Sequence, residues 1–289
     1  MKKILLACLF LTSCSAPDIQ DSSLVSDNAE KNLQENNVLL QQLIESSHRS
    51  KESKQRDQFR HPLETLRFFE VEPDMTVVEL WPGGKGWYTE ILAPYLKEDG
   101  KLIAAHFSPQ AEKPYFVKNL KKFKEKIKAT PEIYEDIVLT ILQPPQSVTI
   151  APSQSADRVL TFRNFHNWMK SDQIMNVLSA AYSALKPDGI LGIVEHRALP
   201  GEEQDPKALS GYVKESHVIK LAEKVGFKFA GKSEINANPK DTTQHPEGVW
   251  SLPPSLRLKN QDRDKYLSIG ESDRMTLKFL KPNDEKIAK

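Results

Sequence analysis

Hydrophobic residues along this chain follow two alternating patterns from about residue 57 to residue 282. Short apolar runs of strand type alternate with longer segments in which apolar residues recur every three or four positions, the period of an amphipathic helix. Strands separated by helices in this way predict one α/β domain with a mostly parallel sheet flanked by helices. The strand-like runs are 75–81, 101–107, 133–142, 158–162, 189–195, 227–235 and 274–280. The helical segments are 62–69, 87–96, 116–127, 171–185 (with Ser171 as N-cap) and 218–225.

The first residues predict a targeting segment. Lys2 and Lys3 precede an apolar run from 4 to 11, which is too short to cross a bilayer but suits a signal peptide. The following Leu-Thr-Ser-Cys14 resembles a bacterial lipobox, whose cysteine becomes the lipidated first residue of the mature chain; a plain cleaved signal is the alternative. The predicted division of the chain is a lipoprotein signal peptide at 1–13, a polar tether with one short helix at 14–56, the α/β domain at 57–282 and a tail at 283–289.

Composition excludes several classes of protein. The chain has 289 residues, with 40 Lys and Arg against 39 Asp and Glu, and loss of Lys2 and Lys3 with the signal peptide leaves 38 against 39, a net charge of −1. A near-neutral chain has no overall attraction to nucleic acid, so we expect no such partner. Of the two cysteines, Cys8 lies in the predicted signal peptide, so Cys14 alone remains. This excludes a disulfide or a Cys-based metal site within the mature chain.

Polar residues and glycines follow four of the predicted strands. The first strand ends in Glu79 and a glycine turn containing Gly83, Gly84 and Gly86, and the second ends in His106. The segments Arg163–Trp168 and Glu195–Arg197 follow two later strands. Since the carboxyl ends of parallel strands share one edge, we expect these groups to line one crevice. An acid, a glycine turn and a helix start suit an adenosine-type ligand, although such a turn is also common without a ligand.

The segment Val77-Val-Glu-Leu-x-Pro-Gly-Gly-x-Gly86 resembles the first motif of class I S-adenosylmethionine-dependent methyltransferases, and Leu185–Val194 resembles the segment leading into their fifth strand. The resemblance covers about 57–282. More specifically, the chain resembles a bacterial group of predicted methyltransferases of unassigned substrate. This resemblance implies a Rossmann-like fold with a mostly parallel seven-stranded sheet, and S-adenosylmethionine as methyl donor. The stretches that match that group are 60–66, 81–91, 162–168, 234–241, 245–250 and 270–274.

The resemblance also implies donor contacts. It places Glu79 toward the methionine part of the donor, with the glycines as the floor of its site; the remaining implied contacts are His106 and Asn164. Two departures stand out: Trp81 replaces the usual first glycine, and Lys85 lengthens the turn by one residue. In that family an acidic residue after the second strand binds the ribose hydroxyls of the donor. This acid is absent here, and His106 lies at roughly the same position.

Other residues are candidates for chemistry on the substrate. His166 is the expected general base, since neutral imidazole accepts a proton from a hydroxyl or amine; a structural histidine is the alternative. Glu195 is a second catalytic candidate, in a Glu195–Arg197 segment that could bind an anionic group or form only a strand-end salt bridge. The insertion 236–272 has the length of a lid over a site. No His or acidic pair has metal-ligand spacing, so no metal is expected. The expected substrate contacts are His61, Arg163, Arg197, Asn236, Asp241 and Trp250.

Together these features predict methyl transfer to an unidentified small molecule, by a protein lipid-anchored in the bacterial cell envelope and facing the periplasm. The two parts of this prediction conflict, because the methyl donor is made in the cytoplasm. Two alternatives therefore stay open. One is a non-catalytic lipoprotein that binds a nucleoside-like or small anionic ligand in the same fold, and the other is a structural envelope protein with an empty crevice.

Overall fold

The centre of the molecule is a seven-stranded sheet. The computed structural model describes residues 22–201 and 203–283. The strand order is β3-β2-β1-β4-β5-β7-β6; β1 to β5 pair in parallel, whereas β7 runs antiparallel to both of its neighbours. The strands are β1 (Thr76–Leu80), β2 (Lys101–His106), β3 (Val138–Ile141), β4 (Ala156–Phe162), β5 (Leu185–His196), β6 (Lys228–Ser233) and β7 (Arg274–Leu280).

Helices cover both faces of this sheet because each presents an apolar stripe to it. One buried cluster contains Leu120, Val177 and Val218, and the other contains Leu40, Leu66 and Ile91. No helix within 22–201 and 203–283 is long and apolar enough to cross a bilayer. The helices are α1 (Ser22–Glu45), α2 (Lys51–Lys54), α3 (Asp57–Arg60), α4 (Pro62–Phe68), α5 (Thr89–Tyr95), α6 (Pro114–Ala129), α7 (Pro131–Tyr134), α8 (Phe165–Lys170), α9 (Ile174–Ala184), α10 (Glu215–Val225), the 3₁₀ turn η1 (Gly248–Ser251) and α11 (Arg263–Ile269).

The mostly parallel seven-stranded α/β sheet expected from the sequence is confirmed, and each strand-like run contains one strand. Four local predictions differ. Helix α1 is much longer than the expected short helix and packs Leu40 and Ile44 into the core. The run 133–142 begins as α7 and only then becomes β3. Ser171 does not cap α9; its hydroxyl donates to carbonyls at the end of α8. The insertion contains η1 and α11, which the sequence did not reveal.

Candidate functional site

The glycine turn after β1 is packed mainly against the protein itself. Gly83 and Gly86 have φ of +72° and +55°, the left-handed region that glycine tolerates best. A Cβ on Gly84 would lie 2.8 Å from Asn119 Oδ1 on α6, and one on Gly86 would lie 2.8 Å from the Phe123 ring. Only Gly83, of these three, has open space beside it. Of the glycines expected to form the ligand floor, Gly83 alone is thus uncrowded at its side-chain position, while Gly84 and Gly86 allow α5 and α6 to approach closely.

Glu79 lies beneath this turn and does not face an open crevice. It is 2% exposed, and its Oε2 accepts a 2.6 Å hydrogen bond from Thr89 Oγ1 at the start of α5. Burial raises the pKa of Glu79 to about 7, against the opposing effects of Thr89 and Lys126. The side chain thus ties β1 to α5, and the structure does not place it against the donor's methionine part as the sequence suggested.

His106, at the position of the missing ribose acid, is also committed within the protein. Its Nδ1 accepts from the Phe107 amide at 2.8 Å, and its Nε2 lies 3.3 Å from the Gly83 carbonyl, so Nε2 carries the proton. Burial lowers the pKa of His106 to about 4, which keeps the ring neutral. Neither nitrogen is free for a ribose hydroxyl, so the ring instead fixes the glycine turn over β2.

Trp81 and Asn164 join the ends of neighbouring strands. Trp81 has φ of +47°, and its indole Nε1 donates to the Leu142 carbonyl at 2.7 Å. Its ring centroid lies 4.7 Å from that of Phe107 and 5.0 Å from that of Trp168. The Asn164 amide donates to the carbonyls of Leu80 and Trp81 at 3.1 and 3.3 Å. Asn164 therefore holds the end of β4 to the end of β1.

A cavity of about 790 Å³ opens at this carboxyl edge of the sheet. Its walls come from the loops that follow β2 and β3 and from the end of α8, with Trp81 at its base. Its polar groups are mainly amides and hydroxyls, and its apolar surface is largely aromatic. Among the residues that line it are Ser108, Gln110, Tyr115, Phe116, Gln143, Gln146 and Asn167.

His166 and Glu195 form a buried pair, and His166 directly precedes Asn167, which lines this cavity. His166 Nδ1 lies 2.9 Å from Glu195 Oε1, and the backbone amides of His166 and His196 donate to the same carboxylate at 3.3 and 2.8 Å. A carboxylate can only accept here, so Nδ1 carries the proton and Nε2 keeps its lone pair. Within the described residues no group donates to Nε2. The two residues that the sequence offered as separate catalytic candidates are thus brought together, in a geometry that suits a general base.

The same residues could in principle hold a metal ion. Ligand atoms of His166, Glu195 and His196 all lie within 4.8 Å of one another. Burial lowers the pKa of His196 well below its usual value, helped by His166 and by the charges of Arg163 and Arg274. Those same positive charges oppose a cation, and both oxygens of Glu195 already accept hydrogen bonds. The surroundings therefore favour an anion over a metal.

Of the expected substrate contacts, Trp250 lies beside this pair and Arg163 lies near it, whereas His61 has no recorded contact with either residue of the pair. The Trp250 ring centroid is 5.9 Å from that of His166, so the insertion does reach the site. Arg163 directly follows β4 with φ of +62°, and its charge acts on His196. His61 begins α4 and has a buried Nδ1 with no hydrogen bond to the described part of the chain.

The other three expected contacts hold the fold together instead. Arg197 donates to both oxygens of Asp273 at 2.8 and 3.0 Å. The Asn236 amide donates to hydroxyls on α4 and β7 at 3.0 and 2.9 Å. Asp241 accepts from the Tyr212 hydroxyl, from His245 Nε2 and from two backbone amides. Arg197 and Asp241 are engaged through both ends of their polar groups, whereas Asn236 is engaged through its amide nitrogen only, since its buried Oδ1 has no partner among the described residues. Together the three residues anchor the insertion to β5 and β7.

Sequence reasoning named Arg60, as a residue that could close over the donor pocket, but missed Arg56, Glu271 and Arg274. Arg56, Arg60 and Arg274 all donate to Glu271, which is 3% exposed. Arg56 and Arg60 precede Glu271 by 215 and 211 residues, so only folding brings them to it. The one available signal was that 60–66 and 270–274 belong to the stretches that resemble the bacterial group.

The sheet order and the helices on both faces define the fold of class I methyltransferases, and comparison with solved structures agrees. A SAM-dependent methyltransferase from Aquifex aeolicus superposes with a TM-score of 0.51 at 14% identity, covering 78% of this chain and 92% of that one. A proposed sarcosine dimethylglycine methyltransferase from Galdieria sulphuraria gives 0.52 at 13% identity, covering 80% and 88%.

The same fold also carries other chemistry. The [4+2]-cyclase SpnF superposes with a TM-score of 0.52 at 10% identity, covering 77% of this chain and 80% of that one. No protein-family model matches the sequence, and no curated protein matches it. At such identities the likeness establishes the fold and leaves the reaction to be argued from the site.

The cavity fits a nucleoside such as the adenosine half of S-adenosylmethionine. Its volume falls within the roughly 300–1,000 Å³ of typical small-molecule sites. Its aromatic surface suits stacking with a purine, its amides and hydroxyls suit hydrogen bonds to ring nitrogens and ribose, and Gly83 leaves open space at the turn. The amide of Gln110 and the hydroxyl of Ser108 follow β2 and line the cavity.

Proposed function

We propose that this protein transfers a methyl group from S-adenosylmethionine to a small-molecule substrate. The observation that carries the proposal is the adjacency of two features on α8. Asn167 lines the nucleoside-sized cavity, and its neighbour His166 forms the buried pair with Glu195. When bound, the donor supplies an electrophilic methyl group on sulfur. The protein's own contribution is then to position the acceptor and to remove its proton.

Each part of the site has a distinct role in this proposal. Ser108, Gln110 and Gln143 would hold polar edges of the donor, and Tyr115 and Phe116 would provide its aromatic wall. His166 Nε2 would take a proton from the acceptor's hydroxyl or amine. The Glu195 carboxylate holds Nδ1–H, which fixes the tautomer and stabilises the positive charge that the ring acquires.

Calorimetric titration of the full chain with S-adenosylmethionine and S-adenosylhomocysteine tests donor binding. We expect saturable binding of both, with Kd in the micromolar range. Asn167→Trp should weaken both at least tenfold, because an indole would enter the cavity from an exposed helix position. Ser179→Trp on α9 is the matched control, since Ser179 is exposed and does not line the cavity.

Two results would contradict the proposal. One is the absence of binding at millimolar ligand in a sample whose unfolding is cooperative. The other is equal affinity in the wild type and in Asn167→Trp, which would place the donor outside this cavity.

We also propose that the chain is anchored to the cell envelope through lipid on Cys14. Cys14 lies outside the described residues, so the support is the sequence pattern alone. The proposed location leaves the supply of methyl donor as the main physiological question.

A further inference from the structure

Four arginines from separate parts of the chain converge on one carboxylate beside the His166–Glu195 pair. We name Arg56, Arg60, Arg163 and Arg274 the arginine cluster. Glu271 accepts from Arg56 Nε at 2.6 Å, from Arg60 Nε at 3.2 Å and from Arg274 Nη2 at 3.0 Å. Burial alone would raise the pKa of Glu271, but the positive charges around it lower that pKa below its usual value.

The positive charge of this cluster is not balanced by the protein. Among the main influences on the pKa values of Arg60 and Arg163, Glu271 is the one carboxylate, and it raises both values. Burial and the other arginines lower both pKa values, that of Arg163 to about 10. Buried charges are costly unless each is paired. Four guanidinium groups around one carboxylate therefore leave an excess of positive charge, which is buried at Arg60 and Arg274 and partly buried at Arg56 and Arg163.

Donors in the cluster also lack acceptors. Arg60 is 1% exposed, yet its Nη2 makes no hydrogen bond to any described residue, and the same holds for the buried Nη2 of Arg56. Arg163 makes no side-chain hydrogen bond or ion pair within the described part of the chain. Buried donors are nearly always satisfied in native proteins. Guanidinium nitrogens that lack acceptors close to the His166–Glu195 pair are the arrangement expected of a site that a ligand completes.

We infer that the arginine cluster binds an oxyanion group of the substrate, a carboxylate or a phosphate, and holds the acceptor atom toward His166. Guanidinium forks match both groups in bidentate geometry. The position follows from the chain: Arg163 comes three residues before His166, and the cluster's charges act directly on His196. This inference rests on the proposed function for the identity of the ligand as substrate, but the anion site itself is tested separately.

The first test is thermal unfolding of the full chain in phosphate, in succinate and in the neutral succinamide, at ionic strength held constant with sodium chloride. We expect phosphate or succinate to raise Tm by roughly 2–3 °C at ten times its Kd, and succinamide to have no effect. Arg163→Gln should abolish the shift. Arg67→Gln, which removes an exposed arginine from α4, should retain it.

A second readout separates a ligand site from a structural ion pair. This readout is the Tm measured in the absence of added anion. If Arg163 has no partner in the protein, Arg163→Gln should leave this Tm unchanged or raise it; if Arg163 belongs to a structural ion pair, the substitution should lower it. No anion-specific shift in the wild type, or an equal shift in Arg163→Gln, would overturn the inference.

The donor's own carboxylate is the competing source of an anion. Titrations with S-adenosylhomocysteine and with 5′-methylthioadenosine, which lacks the amino-acid part, distinguish the two. We expect both Kd values to be unchanged in Arg163→Gln. A tenfold loss confined to S-adenosylhomocysteine would assign the cluster to the donor and contradict a substrate role. Absence of donor binding in the wild type would instead count against the proposed function, while the anion shift would still report on the cluster.

Discussion

The buried carboxyl of Glu79 should make the protein less stable as the pH rises toward neutrality. Its pKa is raised by burial from 4.5 to about 7 in the folded protein. Between these two values the folded state binds a proton that the unfolded state has lost, so the free energy of unfolding falls as pH increases. The difference of 2.5 units, at 1.36 kcal/mol per unit, corresponds to about 3 kcal/mol. Below pH 4.5 and above pH 7 the effect should level off.

Glu79→Gln isolates this contribution. The amide oxygen of glutamine can still accept the hydrogen bond from Thr89, but the side chain does not titrate. The stability of the wild type relative to Glu79→Gln should therefore fall by about 3 kcal/mol between pH 4.5 and pH 7. Equilibrium urea unfolding, followed by tryptophan fluorescence at a series of pH values, measures this difference directly.

Glu64→Gln is the matched control, because it removes an exposed carboxyl from α4. It should not reproduce the fall in relative stability. A constant difference between the wild type and Glu79→Gln across the pH range would refute the argument from burial. A difference of opposite sign would show that Thr89 and Lys126 stabilise the ionised carboxylate more than burial opposes it.

Three further outcomes are expected. NMR of ¹⁵N-labelled protein should find the proton of His166 on Nδ1 and that of His106 on Nε2. The His106 ring should stay neutral down to about pH 4. The opposite tautomer at either ring would contradict the hydrogen bonds described. Trp81→Ala should reduce the free energy of unfolding, measured with urea, by about 3–5 kcal/mol, whereas Trp81→Phe should retain most of the wild-type stability. A reduction below about 1 kcal/mol in Trp81→Ala would mean that the indole is not a core group. Cys14→Ser should move the protein from the membrane pellet to the soluble fraction and abolish palmitate labelling, and retention in the pellet would exclude the lipid anchor.

Most of the fold was predictable because it depends on local periodicity. Each strand-like run contains a strand, and helix ends such as Gly226, with φ of +116°, follow from single residues. The failures arose where tertiary contacts override local composition. The polar segment before residue 39 is helical, and the helix packs its later turns, through Leu40 and Ile44, against the core.

The candidate site was only partly predictable, and the reason is the same. Sequence position relative to strand ends sufficed to place His166 and Glu195 at one edge, since topology alone brings the ends of β4 and β5 together. Sequence position could not show that Glu79, His106 and Arg197 form hydrogen bonds within the protein, because the place of a residue in a motif does not reveal the partners of its side chain.

What the sequence by itself determined is the order of strands and helices and the location of the glycine turn, both of which depend on neighbouring residues. Only the tertiary structure decided which charges remain unpaired. About a hundred residues separate Arg60 from Arg163, and about a hundred more separate Arg163 from Arg274. Glu271 accepts hydrogen bonds from two of them, Arg60 and Arg274. Whether a guanidinium has an acceptor is a property of three-dimensional packing, because the acceptor can come from any part of the chain.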